Sequence, residues 1–181
     1  MSIPASLVKK LRDKTNAGMM DCKEALEASG GDFDKAVEYL RKKGLSAATK
    51  RSSKAAKDGV IASYIHMQGR IGVLVEVNCE TDFVARTEAF QAMAKDIAMH
   101  IAASNPSYLN AESVPPSVLE GEKEIYRSQA KAEGKPEKIY DRIIDGKLKK
   151  FYEEVCLMDQ KFIKDTNITV NTLVQNMIAN T

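Results

Sequence analysis

The hydrophobic pattern of this chain changes from a strand-like run to a helical repeat around residue 80. Residues 71–77 read IGVLVEV, an apolar run rich in valine that is typical of a β-strand. From residue 90 onward, apolar residues recur with the spacing of one helix face: Phe90, Met93, Ala94, Ile97 and Ile101. We therefore predict a strand that passes directly into a helix, with residues 78–86 at the junction.

A polar, acidic and aromatic triplet, Thr81-Asp82-Phe83, stands at this junction. Thr81 or Asp82 can cap the first helical turn, because a short side-chain oxygen accepts hydrogen bonds from the free backbone N–H groups. Phe83 has two interpretations. It packs in the core, as most phenylalanines do, or it is an exposed anchor that enters a pocket on a partner.

Composition is that of a globular chain with room for one medium domain, or a small module and a larger one. Of 181 residues, 44% are hydrophobic and 29% are charged. We expect neither a membrane span nor a signal peptide, because no apolar run approaches about 20 residues and the N-terminus lacks a basic region before an apolar block. Three widely spaced cysteines suggest a reducing, cytosol-like compartment, so we expect a cytoplasmic protein, or a mature organellar form from which a transit sequence has been cleaved.

Charge is distributed unevenly along the chain. Residues 1–57 contain 13 Lys and Arg against 7 Asp and Glu, whereas residues 58–181 contain 14 against 18. A basic first third beside an acidic remainder indicates two modules. It is also compatible with nucleic-acid binding.

The first module, within residues 3–44, is predicted to contain three short helices that end near Gly18, Gly30 and Gly44. Leu11 and Met20, near the first break, are expected to lie partly at the surface. Met19 and Met20 have two interpretations, core filling or an adaptable docking surface. Residues 45–57 are rich in Ala and Lys, contain no acid, and are predicted to form a solvated helical linker.

The second module begins with a change to alternating hydrophobicity at residue 59. Two strands flank Gln68-Gly69, which predicts a β-hairpin. Because residues 73–75 are apolar on both faces, we expect both faces of this strand to be covered, one of them by the helix at 87–103. Helical patterns dominate the remainder, so we predict an α+β fold with a small antiparallel sheet.

Catalytic motifs are absent from the sequence. It has no phosphate-binding glycine loop, no metal-binding helix and no nucleophile turn. Cys79 could pair with His66 or His100 as nucleophile and base, but a small buried side chain at a strand end is the simpler interpretation. We expect no covalent catalysis, no metal and no cofactor.

Two long motifs resemble the signatures of the translation elongation factor Ts family. Residues 7–26 read LVKKLRDKTNAGMMDCKEAL and residues 75–86 read VEVNCETDFVAR. Both stand in the order typical of that family, and the resemblance covers essentially the whole chain. Asn16 and Lys161 depart from the usual Gly and Pro, and the family usually continues beyond residue 181 through a turn into a final strand, which leaves sheet completion and dimerisation open.

The resemblance implies a guanine-nucleotide exchange factor for elongation factor Tu. Residues 1–45 are then a ubiquitin-associated-like three-helix module that docks on the GTPase domain of the partner. Leu11, Met19 and Met20 flank the first helix break of this module, and we expect them to form the apolar docking patch. Residues 46–57 are a basic linker, and residues 58–181 are a core for exchange and dimerisation. Thr81, Asp82 and Phe83 match the segment that wedges between partner helices and disturbs the partner's magnesium site.

The resemblance further implies that short members of the family, with a single core half, can form homodimers. It implies no direct contact with nucleic acid. Two alternatives remain open, an RNA- or ribosome-associated adaptor, suggested by the basic first third, and a helical adaptor without exchange activity.

Overall fold

A computed structural model describes residues 3–15, 17–51 and 56–180. For residues 45–51 and 180 it describes the backbone alone. Asn16, part of the linker at 52–55 and Thr181 therefore lie outside the described residues.

Three helices form the N-terminal module: α1 Ala5–Thr15, α2 Met19–Ala28 and α3 Phe33–Arg51. The Asp32 carboxylate caps α3 by accepting hydrogen bonds from two backbone N–H groups, at 3.1 and 3.0 Å. The helices enclose a small core of mostly aliphatic side chains: Val8, Leu11, Cys22, Ala25, Leu26, Ala36 and Leu40. The predicted three-helix arrangement is therefore present.

The predicted end of the third helix at Gly44 is wrong, because α3 continues without a break to Arg51. The Ala- and Lys-rich sequence after Gly44 favours helix. Gly44 has a different role, since a Cβ atom placed on it would lie 3.0 Å from the Cβ of Ala179 near the C-terminus. The missing side chain thus permits close approach of two helices.

A β-hairpin opens the second module. Strands β1 Asp58–His66 and β2 Ile71–Cys79 pair antiparallel, with Asp58 opposite Cys79 and His66 opposite Ile71. Between them, Met67 and Gln68 both adopt left-handed backbone, with φ of 49° and 57°. The hairpin and its turn are where the alternating pattern predicted them.

One face of this hairpin is uncovered, which contradicts the expectation that both faces are packed. The side chains of Ile61, Ile65 and Leu74 are 73%, 65% and 77% exposed. Val60, Val75 and Val77, on the opposite face, pack against the core. Apolar residues on two faces of a strand are therefore not sufficient to predict two covering layers.

Helices follow the hairpin: α4 Asp82–Ala85, α5 Glu88–Ser104, α6 Pro116–Ala132 and α7 Tyr140–Val155. Helix α5 lies across the inner face of the hairpin and supplies much of the core through Phe90, Met93 and Ile97. Helices α6 and α7 pack against each other. The helix predicted at 87–103 is confirmed as α5.

A second two-stranded sheet and a last helix complete the described chain: β3 Lys161–Phe162, β4 Asp165–Thr169 and α8 Val170–Asn180. This sheet was not predicted, because two residues of β3 carry no readable alternation. Buried Phe162 and Val170 join the core under α5. Helix α8 also packs against α3.

The architecture is α+β, as predicted, with eight α-helices and two small antiparallel sheets among the described residues. Within that part of the chain, none of the helices combines the length and the apolar character that a membrane crossing requires.

Candidate partner-binding site

The Thr81-Asp82-Phe83 triplet lies on a single helical turn, α4, between β2 and α5. The Thr81 hydroxyl caps this turn by accepting a hydrogen bond from the backbone N–H of Val84, at 3.4 Å. The predicted cap is confirmed, although it belongs to a separate four-residue turn and not to the long helix.

Both ends of the turn are attached to the core. On the strand side, the thiol of buried Cys79 donates to the Thr81 carbonyl at 3.1 Å. On the helix side, the Thr87 hydroxyl donates to the Val84 carbonyl at 2.8 Å and accepts from the N–H of Phe90 at 3.3 Å. Ala85 is buried in the main core. The turn is thus a rigid projection from the body of the second module.

Phe83 points away from this core. Its side chain is 79% exposed, the largest exposed fraction among the large hydrophobic residues of the described chain. The interpretation of Phe83 as a core residue is therefore wrong. An exposed ring on a fixed turn can enter a pocket without first losing backbone freedom.

Asp82 lies beside the ring and forms an ion pair with Arg86, with 3.0 Å between Oδ2 and Nη2. The two residues are one helical turn apart, and both side chains are substantially exposed. Such an exposed pair contributes little to stability, about 0.2–1 kcal/mol. It does place an anion and a cation within one helical turn of Phe83 along the chain.

The described residues around this turn do not form a catalytic group. Cys79 bonds to a carbonyl, buried His100 bonds to Gln160, and exposed His66 stacks on Tyr64, so Cys79 has no imidazole base. A cavity of about 540 Å³ beside the turn is lined mainly by apolar side chains, among them Val77, Met93 and Val174. Among the described residues, no cluster of His, Cys, Asp and Glu is arranged to hold a metal ion.

The second predicted site is at the junction of α1 and α2. Met19 and Met20 are 46% and 73% exposed, whereas Leu11 is completely buried. The expectation that Leu11 lies partly at the surface is therefore wrong. A hydrophobic residue on the inner side of α1 belongs to the small core, and only the two methionines are available to a partner.

Sequence reasoning missed two features near these sites. Arg86 and Thr87 follow the triplet and hold it, and the spacing of Asp82 and Arg86 on a helix could have indicated their pairing. The uncovered face of the hairpin carries no local signal, because its apolar residues resemble those of a buried strand.

Comparison with known proteins gives consistent matches over nearly the whole chain. Residues 6–180 match the model of the family described as Elongation factor TS. The chain is 71% identical to the Elongation factor Ts of Syntrophus aciditrophicus over all of its 181 residues and 90% of that relative. It is 55% identical to that of Nitratidesulfovibrio vulgaris and 58% identical to that of Geotalea daltonii. Both matches cover 99% of this chain, and they cover 90% and 83% of the respective relatives.

Proposed function

This chain belongs to the elongation factor Ts family of translation elongation factors, and we propose that it promotes the release of GDP from elongation factor Tu. It does so as an exchange factor in the cytoplasm, without covalent chemistry. The observation that supports this most directly is the exposed Phe83 ring on a turn that is held at both ends.

The physical argument starts from how a GTPase holds its nucleotide. Backbone N–H groups surround the phosphates, and Mg²⁺ demands nearly ideal octahedral geometry. In the proposed mechanism, the Phe83 ring enters between helices of elongation factor Tu and is best accommodated when those ligands are displaced. The Asp82 carboxylate accepts a hydrogen bond from a donor on the partner, and the Thr81 hydroxyl caps the turn.

Energetic coupling makes this exchange reversible. If the factor weakens GDP binding by a given ratio, GDP weakens binding of the factor by the same ratio. The complex with nucleotide and both proteins is then transient, and incoming GTP releases the factor.

Docking is assigned to Met19 and Met20, because both are exposed on the small module and flexible thioether side chains adapt to a partner surface. Leu11 is buried in the core of the same module and is therefore left out of the proposed contact.

The direct test follows the release of fluorescent GDP from elongation factor Tu. We expect the unmodified chain to accelerate release and Phe83→Ala to lose on the order of tenfold or more of this effect, the scale of a hot-spot residue. Because Phe83 is exposed, Tm should change little, with a stability difference within about 0.5 kcal/mol.

Ile125→Ala is the matched control, since Ile125 is an exposed apolar residue on α6. It should retain full activity. A large fall in Tm for Phe83→Ala, with unchanged release per folded molecule, contradicts the wedge.

The docking assignment has its own test in the binding of nucleotide-free elongation factor Tu. Met20→Asp places a charge in the apolar surface and should weaken binding about tenfold. The fold should persist, because Met20 is largely exposed. Unchanged affinity in a titration contradicts the assignment.

We also propose that two copies of the chain pair through the uncovered hairpin face. Ile61, Ile65 and Leu74 form an apolar surface on it, and such surfaces mark interfaces more often than isolated exposed residues do. A two-fold dimer joins the same patch of both copies, and an apolar patch can pair with itself because apolar contacts need no complementary charges.

A further inference from the structure

The solvent-facing side of helix α1 is predominantly basic. With 3.6 residues per turn, Lys9, Lys10, Arg12 and Lys14 occupy one side of the helix together with a single acid, Asp13. Val8 and Leu11 occupy the other side and are buried. All four basic side chains are exposed. They are called the α1 basic face below.

These charges are not neutralised within the described part of the chain, where none of the four forms an ion pair. Elsewhere in the same module, lysines lie within 4 Å of carboxylates: Lys23 with Glu27, Lys35 with Asp32, Lys42 with Glu38, and Lys43 with Asp21 and Glu24. Helix α1 therefore carries an unpaired net charge of +3, and the other basic segment of the first third is residues 45–57, with four basic residues and no acid.

An aromatic ring holds part of this face in place. The Nζ atoms of Lys10 and Lys14 lie 5.5 and 5.2 Å from the ring centroid of Phe33, at the start of α3. Like charges one helical turn apart repel each other, and the ring attracts both. The two ammonium groups are thus kept on one surface and available to an anionic partner.

The position of this face indicates what it binds. Helix α1 ends at Thr15, and exposed Met19 and Met20 begin α2 four residues later. An exposed apolar pair that follows a charged helix closely along the chain matches the composition of a protein–protein interface, which has an apolar centre and a polar rim. The phosphate backbone of a nucleic acid would pair with the basic side chains, but it would make no apolar contact with the two methionines.

We propose that the α1 basic face binds acidic side chains on the protein that docks at Met19 and Met20, and that it accelerates their association. This inference rests on the docking role proposed above. Charges at the border of an interface mainly raise the association rate constant. Salt weakens this attraction, because the Debye screening length is about 8 Å at physiological ionic strength. Dissociation depends on the apolar contact and stays unchanged.

The test measures association of the full chain with nucleotide-free elongation factor Tu by stopped-flow fluorescence. The variant combines Lys9→Gln, Lys10→Gln and Arg12→Gln. At about 20 mM salt its association rate should fall about tenfold, and at about 500 mM salt it should approach that of the unmodified chain. A variant with Lys9→Arg, Lys10→Arg and Arg12→Lys keeps the charge and should keep the rate.

The matched control removes the same charge from a different element. Arg142→Gln, Lys149→Gln and Lys150→Gln alter exposed residues of α7, which packs against α6. This control should change the association rate much less. Equal effects of the two triple variants overturn the inference, because net charge alone then explains them.

Other outcomes also decide the question. An unchanged association rate for the α1 variant, with normal binding by the unmodified chain, overturns this inference and leaves the proposed function intact. Failure of the unmodified chain to bind overturns both. A parallel titration with transfer RNA tests the rival partner, and loss of RNA binding in the α1 variant with an unchanged association rate assigns the face to RNA instead.

Discussion

At the scale of single residues, Phe83 and His100 lie in opposite environments of the same module. Phe83 is exposed although it is apolar, and His100 is completely buried although it is polar. His100 is accommodated because both ring nitrogens are bonded: Nδ1 accepts from the N–H of Ile163 at 3.2 Å, and Nε2 lies 3.0 Å from Oε1 of Gln160. This arrangement requires a neutral ring with its hydrogen on Nε2.

Burial lowers the pKa of His100 below its usual 6.5, and the hydrogen bond to Gln160 opposes this in part. Below pH 6.5 the unfolded chain binds a proton at His100 more readily than the folded chain does. The free energy of unfolding should therefore decrease as the pH decreases, by at most about 1.4 kcal/mol per pH unit. His100→Gln should cost about 1–3 kcal/mol at pH 7.5, because a buried partner loses its bond. The cost should be smaller at pH 5.5.

Urea unfolding of the unmodified chain and of His100→Gln at the two pH values provides the measurement. His66→Gln is the control, since it makes the same substitution at an exposed histidine. Identical pH dependence in His100→Gln and the unmodified chain would show that His100 does not cause the acid sensitivity.

At the scale of elements, the two modules meet where α3 passes α8. Gly44 on α3 lies against Ala179, whereas Gly121 on α6 has no other atoms within 4 Å of where a Cβ would stand. Both glycines lie within helices. Substitution by alanine therefore brings the same gain in helix propensity at each position, and any difference between the two variants reports on packing. The extension of α3 beyond Gly44 makes this contact part of the connection between the N-terminal module and the second module.

Gly121→Ala should stabilise the chain by about 0.5–1 kcal/mol, the usual gain of alanine over glycine inside a helix. Gly44→Ala should gain nothing or lose stability, because its new Cβ would lie 3.0 Å from that of Ala179. Thermal unfolding of both variants gives the comparison. An equal gain at the two positions would mean that α3 and α8 separate easily.

At the scale of the whole molecule, the three most exposed large apolar side chains, Phe83, Leu74 and Met20, together with Ile61, lie at three places: the α4 turn, the start of α2 and the uncovered hairpin face. In the proposed function, the first two contact elongation factor Tu and the third contacts a second copy of the chain. Each projects from a separate element, so each can be changed without altering the others.

Leu74→Lys should convert a dimer into a monomer, because it places an unpaired charge in the apolar hairpin face. Sedimentation velocity over a range of concentrations measures this. Ile125→Lys, on exposed α6, should leave the association state unchanged. A chain that is monomeric at every concentration before substitution contradicts the pairing.

Local features could be predicted from the sequence because they depend on neighbouring residues. The hairpin follows from alternation around Gln68-Gly69, the cap from the oxygen of Thr81, and helix α5 from a repeat of 3.6 residues. The α+β class follows from the same patterns. The longer signature motifs also indicated the family, over nearly the whole chain.

Only the tertiary structure decided which apolar residues are covered, because burial depends on elements that are distant in sequence. Leu11 and Phe83 are both apolar and both lie near a break between elements, yet one is completely buried and the other is 79% exposed. Leu74 is exposed because α5 covers only one face of the hairpin. Gly44 does not end α3, since its role is set by Ala179, more than a hundred residues further along the chain.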